Sequence, residues 1–278
     1  MADEADRPIG VFDSGVGGLS VLRALRAELP HERFVYVADS GHAPYGERDD
    51  DYVIARSHAI ADYLREQHHI KALVVACNTA TAAAIHLLRE ELAPLPIVGI
   101  EPALKPAAVQ SRTGRVGVMA TRGTLQSDKF QALLASLQGQ ASFMLQPCDG
   151  LAIAIERNNA TEIGALCADY TGAMGIFGQE TGQMDTLVLG CTHYPFVESV
   201  LRQHIGAEVL LLEGGAPVAR QTRRLLDAAG QLAPALAGPQ APTRFYSTGD
   251  TEALAQAAAR WLGWDATVQA LPDAPVLR

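Results

Sequence analysis

The chain has 278 residues, 48% of them hydrophobic, and carries 22 Lys and Arg against 31 Asp and Glu, a net charge of −9. That length can bury one large core or two smaller ones, and the acidic balance argues against non-specific nucleic-acid binding, which needs a basic face. The acidic opening Met1–Pro8 has no apolar signal core, no apolar run approaches a bilayer span, and Cys77, Cys148, Cys167 and Cys191 show no C-x-x-C spacing, so a soluble cytoplasmic protein with reduced thiols is expected.

Taken in order, Pro8–Phe12 reads as a short strand, and Asp13-Ser14-Gly15-Val16-Gly17-Gly18-Leu19-Ser20 as a Gly-rich turn into a helix, Val21–Leu29, stopped by Pro30. Such a turn brings backbone amides close to an anion. It has neither the G-x-G-x-x-G pattern nor the Lys of a P-loop, and a tight turn with Asp13 merely capping explains it equally well. Phe34–Ala38 is a second strand, followed by a turn through Pro44-Tyr45-Gly46, where Tyr45 lines a pocket or covers a loop. Asp49–Leu64 reads as a polar-faced helix whose acids suit its first turn.

The chain is organised around the next stretch. Leu73–Val75 reads as a buried strand, Cys77 stands at its carboxyl end, and an Ala- and Leu-rich helix follows with Thr79 placed as its cap. Ligands of open α/β sheets bind at such strand ends. The pattern returns 114 residues later, where Asp185-Thr-Leu-Val-Leu-Gly leads to Cys191-Thr192-His193 and an amphipathic helix. Other elements repeat as well. The strand at Arg115–Ala120, with Thr121 in the turn after it and a helix over Leu125–Leu137, answers the first strand and turn. A strand near Ser142–Leu145 leads to a helix containing Glu156, and Val209–Glu213 answers Val98–Glu101. Alternating strands and helices predict parallel sheets. The expected fold is therefore α/β, with two pseudosymmetric domains of mainly parallel sheet flanked by helices and an active site in the cleft between halves. Residues 1–101 and 212–278 form the first domain and residues 102–211 the second. The Ala-, Pro- and Gly-rich stretch 230–243 is expected to be a loop, and Arg244–Thr248 a late strand.

Cys148 and Cys167 read as small buried hydrophobes. Cys77 and Cys191 differ, because each sits at a strand end among polar residues in mirrored units. Neither has the ligand spacing of a zinc site. A Cys-His hydrolase would use one thiol with His193 or another His as base and leave the other thiol unexplained. Proton transfer to and from the two faces of one carbon would use both. Unperturbed thiols titrate near ~8.5, and a helix N-terminus lowers that value. Asp13 and either His193 or Glu156 are the polar partners best placed to manage those protons.

Asp13-Ser14-Gly-Val-Gly-Gly-Leu-Ser, Pro44-Tyr45-Gly46, Ala76-Cys77-Asn78-Thr79-Ala80 and Gly190-Cys191-Thr192-His193-Tyr194-Pro195 together resemble the glutamate racemases of the cofactor-independent aspartate/glutamate racemase superfamily, over about residues 8–265. The resemblance implies Cys77 and Cys191 as two bases, with neither metal nor other cofactor. Asp13 would assist Cys77, and Glu156 and His193 would assist Cys191. It implies Asp13, Ser14, Tyr45, Gly46, Asn78, Thr79, Thr121, Thr192 and His193 around L- or D-glutamate. It further implies D-glutamate supply for peptidoglycan, no nucleic-acid or membrane partner, and room for a homodimer. The late strand of the second half ends in Glu213-Gly214-Gly215, where the family usually has Asp-Ser-Gly.

Overall fold

A computed structural model describes residues 4–234 and 243–271. They form two compact units. One runs to Ile100 and resumes at Gly215, and the other is the continuous segment Glu101–Gly214.

The first unit holds a six-stranded sheet, and the second a four-stranded one. The strands in chain order are β1 (Ile9–Asp13), β2 (Phe34–Ala38), β3 (Ala72–Val75), β4 (Ile97–Gly99), β5 (Arg115–Ala120), β6 (Ser142–Pro147), β7 (Thr186–Gly190), β8 (Leu210–Leu212), β9 (Thr243–Ser247) and β10 (Val268–Ala270). Every strand pairing within the two sheets is parallel. The orders are β10-β9-β2-β1-β3-β4 and β6-β5-β7-β8. The second sheet thus repeats the core order of the first, with β5, β6, β7 and β8 in the places of β1, β2, β3 and β4. β1, β2 and β3 are buried along their whole length. Their unbroken apolar runs fit strands covered on both faces by helices.

In each sheet the chain leaves the first strand (β1 or β5) to one side and returns on the other, so the strand order reverses between β1 and β3 and between β5 and β7. Crevices at the carboxyl ends of such reversal points are where open α/β sheets bind ligands. Asp13 and Cys77 flank the first reversal, and Thr121 and Cys191 flank the second.

Several local expectations need correction. Thr79 does not cap its helix: Asn78–Glu91 starts two residues earlier than that cap implies, and Cys77, with extended backbone, is the cap. Its Sγ accepts from Ala80 N–H at 3.5 Å. The helix expected over Leu125–Leu137 is two helices, Arg122–Gln126 and Asp128–Ala135. Ser127 separates them because its extended backbone and its hydroxyl, accepting from Phe130 N–H at 3.2 Å, begin a new helix. Helices Ala160–Met174 and Gly215–Ala228 were not foreseen. Of the stretch expected as a loop, residues 235–242 lie outside the described residues. Leu210–Leu212 pairs with β7, which keeps residues up to Gly214 in the second unit.

One buried charge pair ties the first unit together. Lys71 and Glu32 are almost wholly buried, with Lys71 Nζ 2.6 Å from Glu32 Oε2. Lys71 also donates to the carbonyls of Ala5 (2.6 Å) and Gln231 (2.8 Å), and Glu32 Oε1 accepts from Ala233 N–H. Segments from both ends of the sequence therefore meet on one ammonium group. Among the described residues no helix is long and apolar enough to cross a membrane.

Candidate functional site

In the first unit, β1 delivers Asp13 and Ser14, the turn after β2 delivers Tyr45 and Gly46, and the start of helix Asn78–Glu91 delivers Cys77, Asn78 and Thr79. Cys77 is only 5% exposed and Asp13 fully buried. Asp13 Oδ2 accepts from Gly18 N–H at 2.5 Å, which closes the Gly-rich turn onto the next helix. Asp13 thus braces the turn rather than capping the helix, whose N-cap is Gly18 with no side-chain capping bond, and the capping expectation is corrected. Ser14 Oγ lies 3.5 Å from Asp13 Oδ1 and 3.8 Å from Cys77 Sγ. A chain of polar atoms thus runs from the carboxylate through the hydroxyl to the sulfur. Because Cys77 caps a 14-residue helix, its sulfur faces the positive end of the helix dipole, where negative charge is favoured.

Asn78 Oδ1 is buried with no hydrogen-bond donor among the described residues. A buried acceptor of that kind ordinarily has a partner, and a ligand N–H next to Cys77 would supply one. Tyr45 is 1% exposed and belongs to the same buried cluster as Cys77. Burial, followed by the nearby Asp39 carboxylate, pushes its phenol well above its ordinary pKa, and charge on Cys77 adds to the effect. Tyr45 is thus a neutral donor, and it gives its hydrogen to Asp39 Oδ2 at 2.5 Å.

In the second unit, three side chains stand in line. Cys191 Sγ is 3.5 Å from His193 Nδ1, and His193 Nε2 is 2.6 Å from Glu156 Oε1. Cys191 and Thr192 follow β7, His193 precedes a single 3-10 turn, Tyr194–Val197, and Glu156 ends the helix Leu151–Glu156. The imidazole uses one ring nitrogen for the thiol and the other for the carboxylate. Burial works against charge on His193, but its contacts with Cys191 and Glu156 outweigh it and raise the imidazole's pKa well above the usual value. Thr121 caps the helix Arg122–Gln126, accepting from Thr124 N–H at 3.2 Å. The structure therefore brings Cys191, Thr192, His193 and Glu156 together in one unit and Asp13, Ser14, Tyr45, Asn78, Thr79 and Cys77 together in the other.

The remaining cysteines have different surroundings. Burial pushes the Cys148 thiol far up, and raises Cys167 to about 11. Both are buried, the environment of inert thiols. Asp39 and Arg56 were not singled out from the sequence. Arg56 is 1% exposed in a helix whose buried face otherwise holds Val53, Ser57, Ile60, Ala61 and Leu64. An arginine at a core position of that periodicity was the available signal, since a buried charge demands a partner.

Comparison with known proteins points the same way. The Asp/Glu/hydantoin racemase family profile matches residues 17–222. A glutamate racemase of Ralstonia nicotianae is 48% identical over 263 residues, covering 95% of this chain and 92% of that protein. The crystal structure of glutamate racemase isoform RacE1 from Bacillus anthracis superposes with a TM-score of 0.84 at 32% identity, covering 96% of this chain and 98% of that one. The Escherichia coli glutamate racemase, solved with L-glutamate and the activator UDP-MurNAc-Ala, gives 0.79 at 30% identity, covering 96% and 98%.

Proposed function

We propose, since this chain belongs to the Asp/Glu/hydantoin racemase family, that it interconverts L- and D-glutamate by proton transfer between Cys77, Cys191 and the substrate Cα, and so supplies D-glutamate for peptidoglycan. The observation that carries this reading is the equivalence of the two thiols. Each follows the third strand of its half at the point where strand order reverses, and each has its own proton-handling partners.

One sulfur enters as thiolate and removes the Cα proton, and the other enters as thiol and delivers a proton to the opposite face. At the end their protonation states have exchanged and no atom is gained or lost. The carbanion spreads its charge into the α-carboxylate, so donors that meet that charge lower the barrier. Asn78 Oδ1, the buried acceptor beside Cys77, suits a substrate ammonium hydrogen. The Glu156–His193 pair sets an imidazolium 3.5 Å from the Cys191 sulfur, where its charge meets the thiolate form that the sulfur holds on one side of the reaction.

Glu156→Gln removes one of the two contacts that raise the His193 pKa. Roughly a tenfold to hundredfold loss of kcat is expected, short of the ~10²–10⁴ of a directly acting acid or base. The imidazolium's contribution to stability has a definite sign. A raised folded-state pKa gives stability that is fully present below the unfolded value of about 6.5 and is lost as pH rises through the folded value. The variant's loss of stability should accordingly be greatest below pH ~6.5 and fade in alkali, as denaturant melts across pH would show.

The thiol–imidazole–carboxylate line is also the arrangement of a cysteine hydrolase, which makes that the second reading. The deciding measurement is circular dichroism of L-glutamate with purified protein in D2O and no added cofactor. Loss of optical rotation with deuterium appearing at Cα is expected. Neither change with folded protein would overturn the racemase reading, and release of L-glutamate from its γ-amide or a γ-ester would then establish the hydrolase.

A further inference from the structure

Asp39 is shared by four side chains, yet neither the motifs named above nor the two-thiol mechanism uses it. It stands after β2 as Asp13 ends β1, and it is fully buried. Arg56 donates to it twice, from Nε to Oδ2 at 3.0 Å and from Nη2 to Oδ1 at 2.8 Å. Tyr45 donates to Oδ2 at 2.5 Å, and His42 Nδ1 lies 3.1 Å from Oδ1. The remaining partner comes from much later in the chain: Thr248, just past β9, donates its hydroxyl to Oδ1 at 2.8 Å. The same Thr248 oxygen accepts from Gly41 N–H at 3.1 Å, so one hydroxyl bridges the loop's first carboxylate and its backbone.

The backbones meet at this point too. A Cβ on Gly41 would fall 2.7 Å from the Thr248 carbonyl oxygen, and one on Gly249 would fall 2.9 Å from Gly41 N. Two glycines facing each other allow an approach that any side chain would prevent. Thr248 N–H also donates to Ala38 O at 3.1 Å. The turn at Thr248–Gly249 is therefore built into the Asp39–Tyr45 loop through its backbone and its hydroxyl. At the far end of that loop Tyr45 packs in the cluster that contains Cys77.

We propose that Thr248 is a positioning residue for the reaction: its hydroxyl and the Gly41–Gly249 contact fix the Asp39–Tyr45 loop and hold the Tyr45 phenol against Cys77. The role rests on reading Cys77 as a reacting thiol. Burial opposes ionisation of Asp39, but its hydrogen bonds from Arg56, Tyr45 and Thr248 keep its pKa below the ordinary carboxylate value. The carboxylate thus remains an acceptor for all its donors at once.

The test is Thr248→Val, which keeps the shape and removes the hydroxyl, with Thr248→Ser as the conservative control. Three quantities are read: kcat/KM for racemisation in both directions, the melting temperature, and the rates at which iodoacetamide alkylates Cys77 and Cys191, followed by peptide mass spectrometry. For Thr248→Val a roughly tenfold fall in kcat/KM is expected from losing a hydrogen bond to a charged group. Alkylation of Cys77 should quicken severalfold while that of Cys191 stays at the wild-type rate, and Thr248→Ser should restore both values. A valine variant with lowered melting temperature but wild-type kcat/KM and Cys77 alkylation would overturn the proposal, since Thr248 would then be structural only. Equal acceleration at both cysteines would overturn it as well, because that reports general loosening. If the wild-type protein does not racemise glutamate, the functional reading has failed, and the contrast between the two alkylation rates still decides whether Thr248 controls the surroundings of Cys77.

Discussion

Cys77→Ser and Cys191→Ser are each expected to lower the racemisation rate by about 10³-fold or more, within the range of losing an acid or base that acts directly. Equal severity is the informative part. A serine hydroxyl beside Ser14, or beside His193, keeps the shape of the site but holds its proton far more tightly than a thiol. Each variant retains the other thiol and therefore one face of chemistry. In D2O each should incorporate deuterium at Cα from one enantiomer only, and the two variants should choose opposite enantiomers. NMR of recovered L- and D-glutamate after long incubation would show this. Near-normal turnover in either variant would remove the two-base assignment. A loss confined to Cys191→Ser would favour a mechanism with Cys191 as the single acting thiol, in which Cys77 has no part.

Lys71→Met should be the most destabilising single change outside the site. Lys71 and Glu32 are 1–2% exposed and 2.6 Å apart, and methionine leaves the Glu32 carboxylate buried without its counter-charge. Removing one member of a buried pair costs about 3–5 kcal/mol. In a protein of this size that is a fall in Tm of roughly 10 °C. Lys71→Met with Glu32→Gln removes both charges and should recover part of the loss, because the expense lies in the orphaned ion and not in the missing attraction. Scanning calorimetry of the two variants would measure it. A double variant no more stable than the single one would show that the contacts to Ala5 and Gln231, and not the charge pair, dominate.

The strands were legible because their burial is written as short apolar runs: β2 was placed at Phe34–Ala38 from composition alone. The repeat of strand, Cys and helix was legible too, and the identical core order of the two sheets is its structural counterpart. Capping was misread at Thr79 because a hydroxyl looks like the better cap, whereas the extended backbone ends at Cys77 and the sulfur is simply the atom in place. The helix Ala160–Met174 was passed over among its mixed polar and small residues. The pairing of Glu156 with His193 joins residues 37 apart, and that of Asp39 with Thr248 joins residues 209 apart. Spacing along a chain does not encode such contacts. They arise when parallel strands bring their carboxyl ends to one edge.

The first unit is interrupted by the second, and this has a consequence for biosynthesis. Residues leave the ribosome in order, and domains generally fold as units while they emerge. The segment Glu101–Gly214 is continuous and has all its strands once residue 214 is out. The earlier hundred residues must still wait. β2 has no β9 to pair with, Lys71 has no Gln231 carbonyl, and Asp39 has no Thr248 hydroxyl until the last part of the chain arrives. The nascent protein thus carries an open sheet edge and a buried-to-be lysine through the whole synthesis of its insert. Maturation of the Cys77 centre is tied to translation of Gln231, β9 and Thr248. A prematurely terminated chain would display a folded Cys191 half and an unfinished Cys77 half, a species for chaperones and proteases to clear.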